Sequence, residues 1–219
     1  MIYDLLGQNN FATSVFLDSI CSLGGGDDHV IVVANIDEEE NSSLQFSADQ
    51  TLVKVSYTHS SSWRRRSNSR LLLGSIGRSR RAIFQDFVDN HKVIPSQFEN
   101  LFDARANIPH TLKAGHGIYV APGATIAPHV RIGNFTVVNR NSSVGHHTVL
   151  GNFVTINPGV TICGVCNIAD NVIIGAGATI VDSINIGSNS IVGAGSLVRK
   201  EIPPNVVVAG NPAQVLRGV

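Results

Sequence analysis

The sequence predicts a two-domain chain, with a small α/β unit over residues 1–100 and a stacked parallel β-helix over residues 101–219. Three observations carry this. The first hundred residues alternate short apolar runs with amphipathic stretches, the pattern of a βαβ unit. From Val120 to Val198 every sixth residue is aliphatic, fourteen positions in succession. The 219 residues include 21 glycines and only 6% aromatics, which suits thin stacked coils better than a helical bundle.

In the N-terminal part, Ile2 to Gly7 reads as a strand and Phe11 to Ser22 as a helix. Val30 to Ala34 reads as a second strand, ended by the acidic run Asp37-Glu38-Glu39-Glu40. Thr51 to Tyr57 is a third strand candidate. Leu71-Leu72-Leu73-Gly74 is a buried-strand candidate, and Arg80 to Asn90 a helix. The Ser/Arg stretch from Ser60 to Ser69 reads as an exposed loop. Seven arginines fall within residues 64–81 and read as a solvated cluster.

A period of six fits neither a helix nor an ordinary strand. It fits a short strand followed by a tight corner, with one aliphatic pointing inward per strand. The series runs Val120, Ile126, Ile132, Val138, Val144, Leu150, Ile156 and onward to Val198. The next residue is often Gly, as at Gly133, Gly145 and Gly151, and is expected to permit the turn. The residue four after each aliphatic is small or apolar, as at Ala124, Thr136, Ser142 and Cys166, and is expected to fill the corner. One hexad cannot bury its inward residue alone, so the coils must stack.

Composition excludes several classes. Sixteen basic and sixteen acidic residues cancel, which argues against nucleic-acid binding by bulk positive charge. No apolar run reaches the roughly 18 residues of a membrane span. The start Met1-Ile2-Tyr3-Asp4 lacks the features of a signal peptide. Three cysteines make no disulfide scaffold, so a cytoplasmic location is expected.

The hexads resemble those of the hexapeptide-repeat acyltransferases, and the tail Gly210-Asn211-Pro212-Ala213 matches the segment that closes the last coil in that family. Together with an N-terminal βαβ domain, they resemble the sialic acid O-acetyltransferase-like subgroup, which includes N-acetyltransferases of nucleotide-linked 4-amino sugars. The resemblance implies a Rossmann-like βαβ domain followed by a left-handed parallel β-helix with three hexads per coil. Residues three hexads apart then lie one above another. It implies acetyl-CoA as co-substrate, with no permanently bound cofactor and no metal. It implies a nucleotide-linked amino sugar as acceptor, a place in lipopolysaccharide or other glycan precursor synthesis, and a homotrimer with active sites between adjacent β-helices.

The segment Ser143-Val144-Gly145-His146-His147 resembles the subgroup's active-site hexad, and His146 matches its general base. A neutral imidazole can take a proton from an amine near pH 7. Gly164 lies three hexads on and leaves room beside that ring. It matches the glycine whose N–H binds the oxyanion and approaches the acyl-CoA. Where the family commonly has a carboxylate to orient the base, this chain has His147, which cannot supply negative charge. Thr155 stands where several relatives carry a His near the thioester. Asn139 matches a sugar-contacting position, and Asn157 stands three hexads on, so the two are also candidates for an Asn ladder. Ala176 and Ala194 match positions lining the pantetheine groove, and Arg199 and Lys200 are candidates to meet coenzyme A phosphates. In the N-terminal domain, Gly7 and Asn9 match the turn that cradles the nucleotide sugar, with Phe11 where the family has a His. Asp37 matches the acid that contacts the base.

Rival readings stay open. His110, His129, His146 and His147 raise a carbonic-anhydrase-like zinc site. A sialic-acid-type sugar O-acetyltransferase and a β-helix kept only for binding are the others. Cys163-Gly164-Val165-Cys166 has C-x-x-C spacing, but Cys166 falls at an inward position and reads as a core filler.

Overall fold

The computed structural model describes residues 1–7, 10–24, 28–35 and 53–219, with the backbone alone at 10 and 11. By contact the chain divides into Met1–Ala104 and Arg105–Val219.

The first unit is a parallel α/β sheet. Strands β1 (Ile2–Leu6), β2 (His29–Ala34), β3 (Lys54–His59) and β4 (Ser69–Leu73) lie in the order β3-β2-β1-β4, all parallel. Helix α1 (Asn10–Ser22) follows β1, and α2 (Arg80–His91) follows β4. A two-residue strand, β5 (Leu101–Phe102), comes last. Central strands buried on both faces explain the continuous apolar runs: Leu5, Leu6, Val30, Val32, Val33 and Leu71 are fully buried. The expected strands and helices appear within a few residues of their sequence limits. The third strand begins at Lys54 rather than Thr51, which lies outside the described residues.

The Ser60–Ser69 stretch departs from expectation. Its Trp63 is buried and meets Phe87 of α2 edge-on, ring centroids 5.9 Å apart. Arg66 pairs with the fully buried Asp4, which also accepts a hydrogen bond from Ser69 Oγ. One large aromatic and one buried carboxylate therefore tie down a segment whose composition reads as solvated. The arginine cluster is likewise not uniformly solvated, because Arg80 is 2% exposed.

The second unit is a left-handed parallel β-helix, as expected. Two-residue strands recur every six residues and stack into three sheets. The first holds β7 (Tyr119–Val120), β10 (Val137–Val138), β13 (Thr155–Ile156), β16 (Ile173–Ile174) and β19 (Ile191–Val192). The second holds β8 (Thr125–Ile126), β11 (Ser143–Val144), β14 (Thr161–Ile162), β17 (Thr179–Ile180) and β20 (Leu197–Val198). The third holds β6 (Lys113–Ala114), β9 (Arg131–Ile132), β12 (Val149–Leu150), β15 (Asn167–Ile168) and β18 (Asn185–Ile186). Inside each stack a strand pairs with those three hexads before and after it, as β10 pairs with β7 and β13. A hairpin, β21 (Val206–Gly210) and β22 (Ala213–Gly218), extends the first sheet through β21 and turns at Asn211-Pro212.

All fourteen aliphatics from Val120 to Val198 are buried. The corner-filling residues are buried too, and their hydroxyls are satisfied by carbonyls of the next coil. Thr136 Oγ1 donates to Gly151 O at 2.7 Å, and Ser142 Oγ to Asn157 O at 2.9 Å.

The glycines after the aliphatics work differently from expectation. The left-handed backbone falls two residues later, at His129, Phe135, Asn141, His147 and Phe153 and at Gly123 and Gly159. Gly145 is not among them. A Cβ there would lie 2.4 Å from the carbonyl carbon of Cys163 on the next coil. These glycines let stacked backbones approach closely, and the turn itself is made three residues past each aliphatic from Val120 to Val192.

Candidate active site

Three strands per coil make three corners. The corner after the second sheet carries His146, His147, Gly164 and Asp182, with Lys200 on the same rank. The corner after the first sheet carries Asn139, Asn157, Ala176 and Ala194. The coil therefore places the expected site residues on two different corners. Within one chain it brings His146 to Gly164 but leaves Asn139, Ala176 and Ala194 on the other edge of the triangle.

At the His146 corner the imidazole lies over Gly164. A Cβ on Gly164 would sit 2.7 Å from both Cε1 and Nε2 of the ring, so any larger residue there must push the ring aside. Nδ1 of His146 is 3.2 Å from Nδ1 of His147, and the rings meet edge-on with centroids 5.3 Å apart. One nitrogen donates and the other accepts. When His146 donates from Nδ1, its Nε2 carries the lone pair that a general base needs. His147 thus holds the His146 ring through this hydrogen bond. It does so with the left-handed φ of 58° that its corner demands.

The N–H of Gly164 is not open. It donates to Asp182 Oδ1 at 2.9 Å. This follows a rule of the coil that sequence reasoning missed. Corner N–H groups donate to the side chain one coil on, as His116 does to Asn134, Asn134 to Asn152 and Asn152 to Asp170. An oxyanion at Gly164 must therefore displace Asp182, an exposed side chain able to turn into water.

The expected Asn139–Asn157 ladder is absent among the described residues. Asn157 donates from Nδ2 to Ile174 O instead. The Asn ladder of this coil runs from Asn171 through Asn189 to Asn205, each step 2.9 Å. Asn139 is 6% exposed and Thr155 1%. Ala176 and Ala194 are exposed on successive coils, and a Cβ on the adjacent Gly177 or Gly195 would meet nothing. This small-residue strip is open enough for a flexible chain to lie along it. Lys200 is exposed.

The rings of His129 and His147 stack, centroids 4.9 Å apart and tilted by 39°. Stacked faces do not converge on a shared ion, and among the described residues no three His, Cys, Asp or Glu side chains are placed to hold a metal. Cys166 is buried and its Sγ donates to Val181 O at 3.1 Å. Burial pushes its thiol pKa up, which suits a core filler.

In the first unit, Gly7 ends β1 with φ 90°, and a Cβ on it would meet Ile83 Cγ2 at 2.7 Å. The neighbouring Asn9 and the acid Asp37 lie outside the described residues. Between β1 and β4 the chain connections leave in opposite directions, which makes their carboxyl ends the crevice where open α/β sheets take ligands. Sequence reasoning missed what lines it from β4. In Gly74-Ser75-Ile76-Gly77-Arg78-Ser79-Arg80, Ser75 Oγ bonds Ser79 Oγ at 3.0 Å and Arg80 Nε donates to Gly77 O. Paired glycines between a strand and a helix were the available signal.

Burial pushes the Arg80 guanidinium pKa down to about 9. The folded state then releases a proton that the unfolded chain keeps to higher pH. This group's contribution to stability is lowest below pH 9 and rises above about pH 9 toward the ordinary guanidinium range. Urea melts of wild type and Arg80→Met at pH 7 and pH 10 should show wild type gaining relative to the variant at pH 10. An unchanged difference would contradict the assignment.

No family model matches the sequence, and no curated protein does. Solved structures do match over nearly the whole chain. The acetyltransferase domain of PglB from Neisseria gonorrhoeae FA1090, solved with acetyl coenzyme A, is 22% identical with a TM-score of 0.78, 98% of each chain being covered. PerB from Caulobacter crescentus, solved with CoA and GDP-perosamine, is 22% identical with a TM-score of 0.77, covering 98% of this chain and 96% of its own. WeeI from Acinetobacter baumannii AYE is 21% identical with a TM-score of 0.76, covering 99% of this chain and 100% of its own. The chain shares their two-part fold.

Proposed function

We propose that this chain is an acetyl-CoA-dependent N-acetyltransferase acting on the amino group of a nucleotide-linked 4-amino-4,6-dideoxy sugar. The observation that carries the reading is the seat of His146: its ring lies on Gly164, bonded through Nδ1 to His147, in a fold whose neighbours were solved with acetyl coenzyme A and with GDP-perosamine.

In the proposed reaction the amine attacks the thioester carbonyl. His146 takes the amine proton at Nε2 as the C–N bond forms. The carbonyl oxygen becomes anionic and takes the Gly164 N–H as Asp182 turns away. The C–S bond then breaks, and the leaving thiolate is protonated by the His146 imidazolium. The Ala176–Ala194 strip would carry the pantetheine chain, with Lys200 toward its phosphates. The first unit would hold the nucleotide at the crevice marked by Gly7. We place the enzyme in the cytoplasm, in glycan precursor synthesis.

The two-corner placement of the site residues supports a homotrimer, because a neighbouring copy can bring Asn139 and the alanine strip to face His146. Light scattering should give three chains, and a monomer with full activity would contradict the shared site. Mass spectrometry of the sugar product tests the acceptor atom. An acetyl group that survives hydroxylamine is on nitrogen, and one that is removed is on oxygen.

His147 acts in this scheme as a positioning residue. Asparagine adopts left-handed backbone readily and keeps an acceptor oxygen, so His147→Asn should retain most of kcat. His147→Ala should lose about tenfold or more in kcat, with the KM for acetyl-CoA little changed, because it leaves His146 Nδ1 without an acceptor. Equal losses in the two variants would assign His147 a structural part only.

A further inference from the structure

Beside His146 lies a pocket that acyl transfer as written does not use. It has a volume of about 380 Å³ and is lined by Thr111, Lys113, His129, Arg131, His147 and Val149. One wall is the outer face of β6, β9 and β12, where Lys113 pairs with Arg131 and Arg131 with Val149. The other is the corner rank Thr111, His129 and His147, which stand on successive coils.

Paired strands lie about 4.8 Å apart, so Lys113 and Arg131 rise from neighbouring rungs, and like charges placed directly opposite are destabilising. Neither is paired with an acid among the described residues. Among the described residues the ion pairs are those of Met1 with Asp28 and Arg66 with Asp4. The hydroxyl of Thr111 accepts the His129 N–H at 2.9 Å and keeps its own proton to give. The pocket therefore offers two cations, two imidazoles and a hydroxyl, with no acid among the described residues that line it.

We infer that this pocket binds a phosphate group of a dianionic ligand. The planar fork of Arg131 matches two phosphate oxygens, Lys113 adds a compact charge, and imidazole N–H groups and the Thr111 hydroxyl add neutral donors. Two fixed cations balance a dianion, which a lone carboxylate is not. The pocket also touches the chemistry. A phosphate accepting Nε2–H from His147 fixes that ring with its lone pair on Nδ1. His146 must then donate from its own Nδ1 and keep Nε2 as the base. The bound phosphate thus does from outside what an orienting carboxylate would do from within the chain. Binding stands on the pocket alone, and only its effect on His146 rests on the acyl-transfer reading.

The test is a titration of the full chain with inorganic phosphate, followed by the NMR signals of the His129 and His147 rings. Saturable shifts are expected, with affinity falling at least tenfold in Lys113→Gln/Arg131→Gln. Arg131→Gln alone serves if the double variant does not fold. The titration is repeated with a nucleoside diphosphate and with coenzyme A. The ligand whose affinity depends most on the two cations names the source of the phosphate, and equal dependence names free phosphate. Absence of saturable shifts with all three ligands, or unchanged affinity in a folded variant, would overturn the proposal. Neither result bears on whether acetyl transfer occurs, which the sugar product reads separately.

Discussion

Replacing His146 with alanine is expected to lower turnover by about 10²- to 10⁴-fold, the usual range for losing a positioned general base. The ring is exposed at a corner, so its removal opens no cavity in the core and the coil should persist. The loss should fall on kcat rather than on the KM for acetyl-CoA, because the imidazole acts when the amine proton leaves. Two measurements check this: steady-state kinetics and the melting temperature of the same preparation. Near-wild-type turnover in a folded variant would remove His146 from the mechanism.

Gly164→Ala is expected to cost about 10²-fold in kcat while leaving the fold almost untouched. The added methyl would stand 2.7 Å from His146 Nε2, closer than such contacts allow, so the exposed ring must swing aside. A displacement of about 1 Å at a reacting group can cost on the order of 10²-fold. Asp182→Ala is the companion. It removes the acceptor now bonded to the Gly164 N–H, so turnover should be unchanged or higher. If Gly164→Ala is as active as wild type, the close seat of the ring has no part in the reaction. A large loss in Asp182→Ala would show that this carboxylate acts in the chemistry rather than yielding to it.

The β-helix was legible because its core obeys one rule. A single inward aliphatic per hexad, from Val120 to Val198, marks each strand and its corner, and the family resemblance implies three hexads per coil. The His146–Gly164 pairing was legible from that resemblance, since three hexads per coil set residues 18 apart one above another. What the period hides is direction. It could not show that the left-handed residue falls at His147 or that Asp182 reaches back to the Gly164 N–H. Asn, His, Phe, Val and Gly all serve at those corners, so composition marks no position there. In the first unit, the positions of the strands along the chain followed from apolar runs, while their order in the sheet did not. The burial of Trp63 and Asp4 did not, because a single aromatic in a serine- and arginine-rich stretch gives no periodic signal. Asn9 and Asp37, the other residues expected at the nucleotide, lie outside the described residues.

The proposed reaction is acetyl transfer to a nucleotide-linked amino sugar. Its most direct test is thiol release from acetyl-CoA against UDP-, dTDP- and GDP-linked 4-amino sugars. Turnover is expected on one of them, abolished in His146→Ala. No thiol release with any sugar, from protein that shows no binding of coenzyme A, would contradict it and leave the β-helix as a binding scaffold.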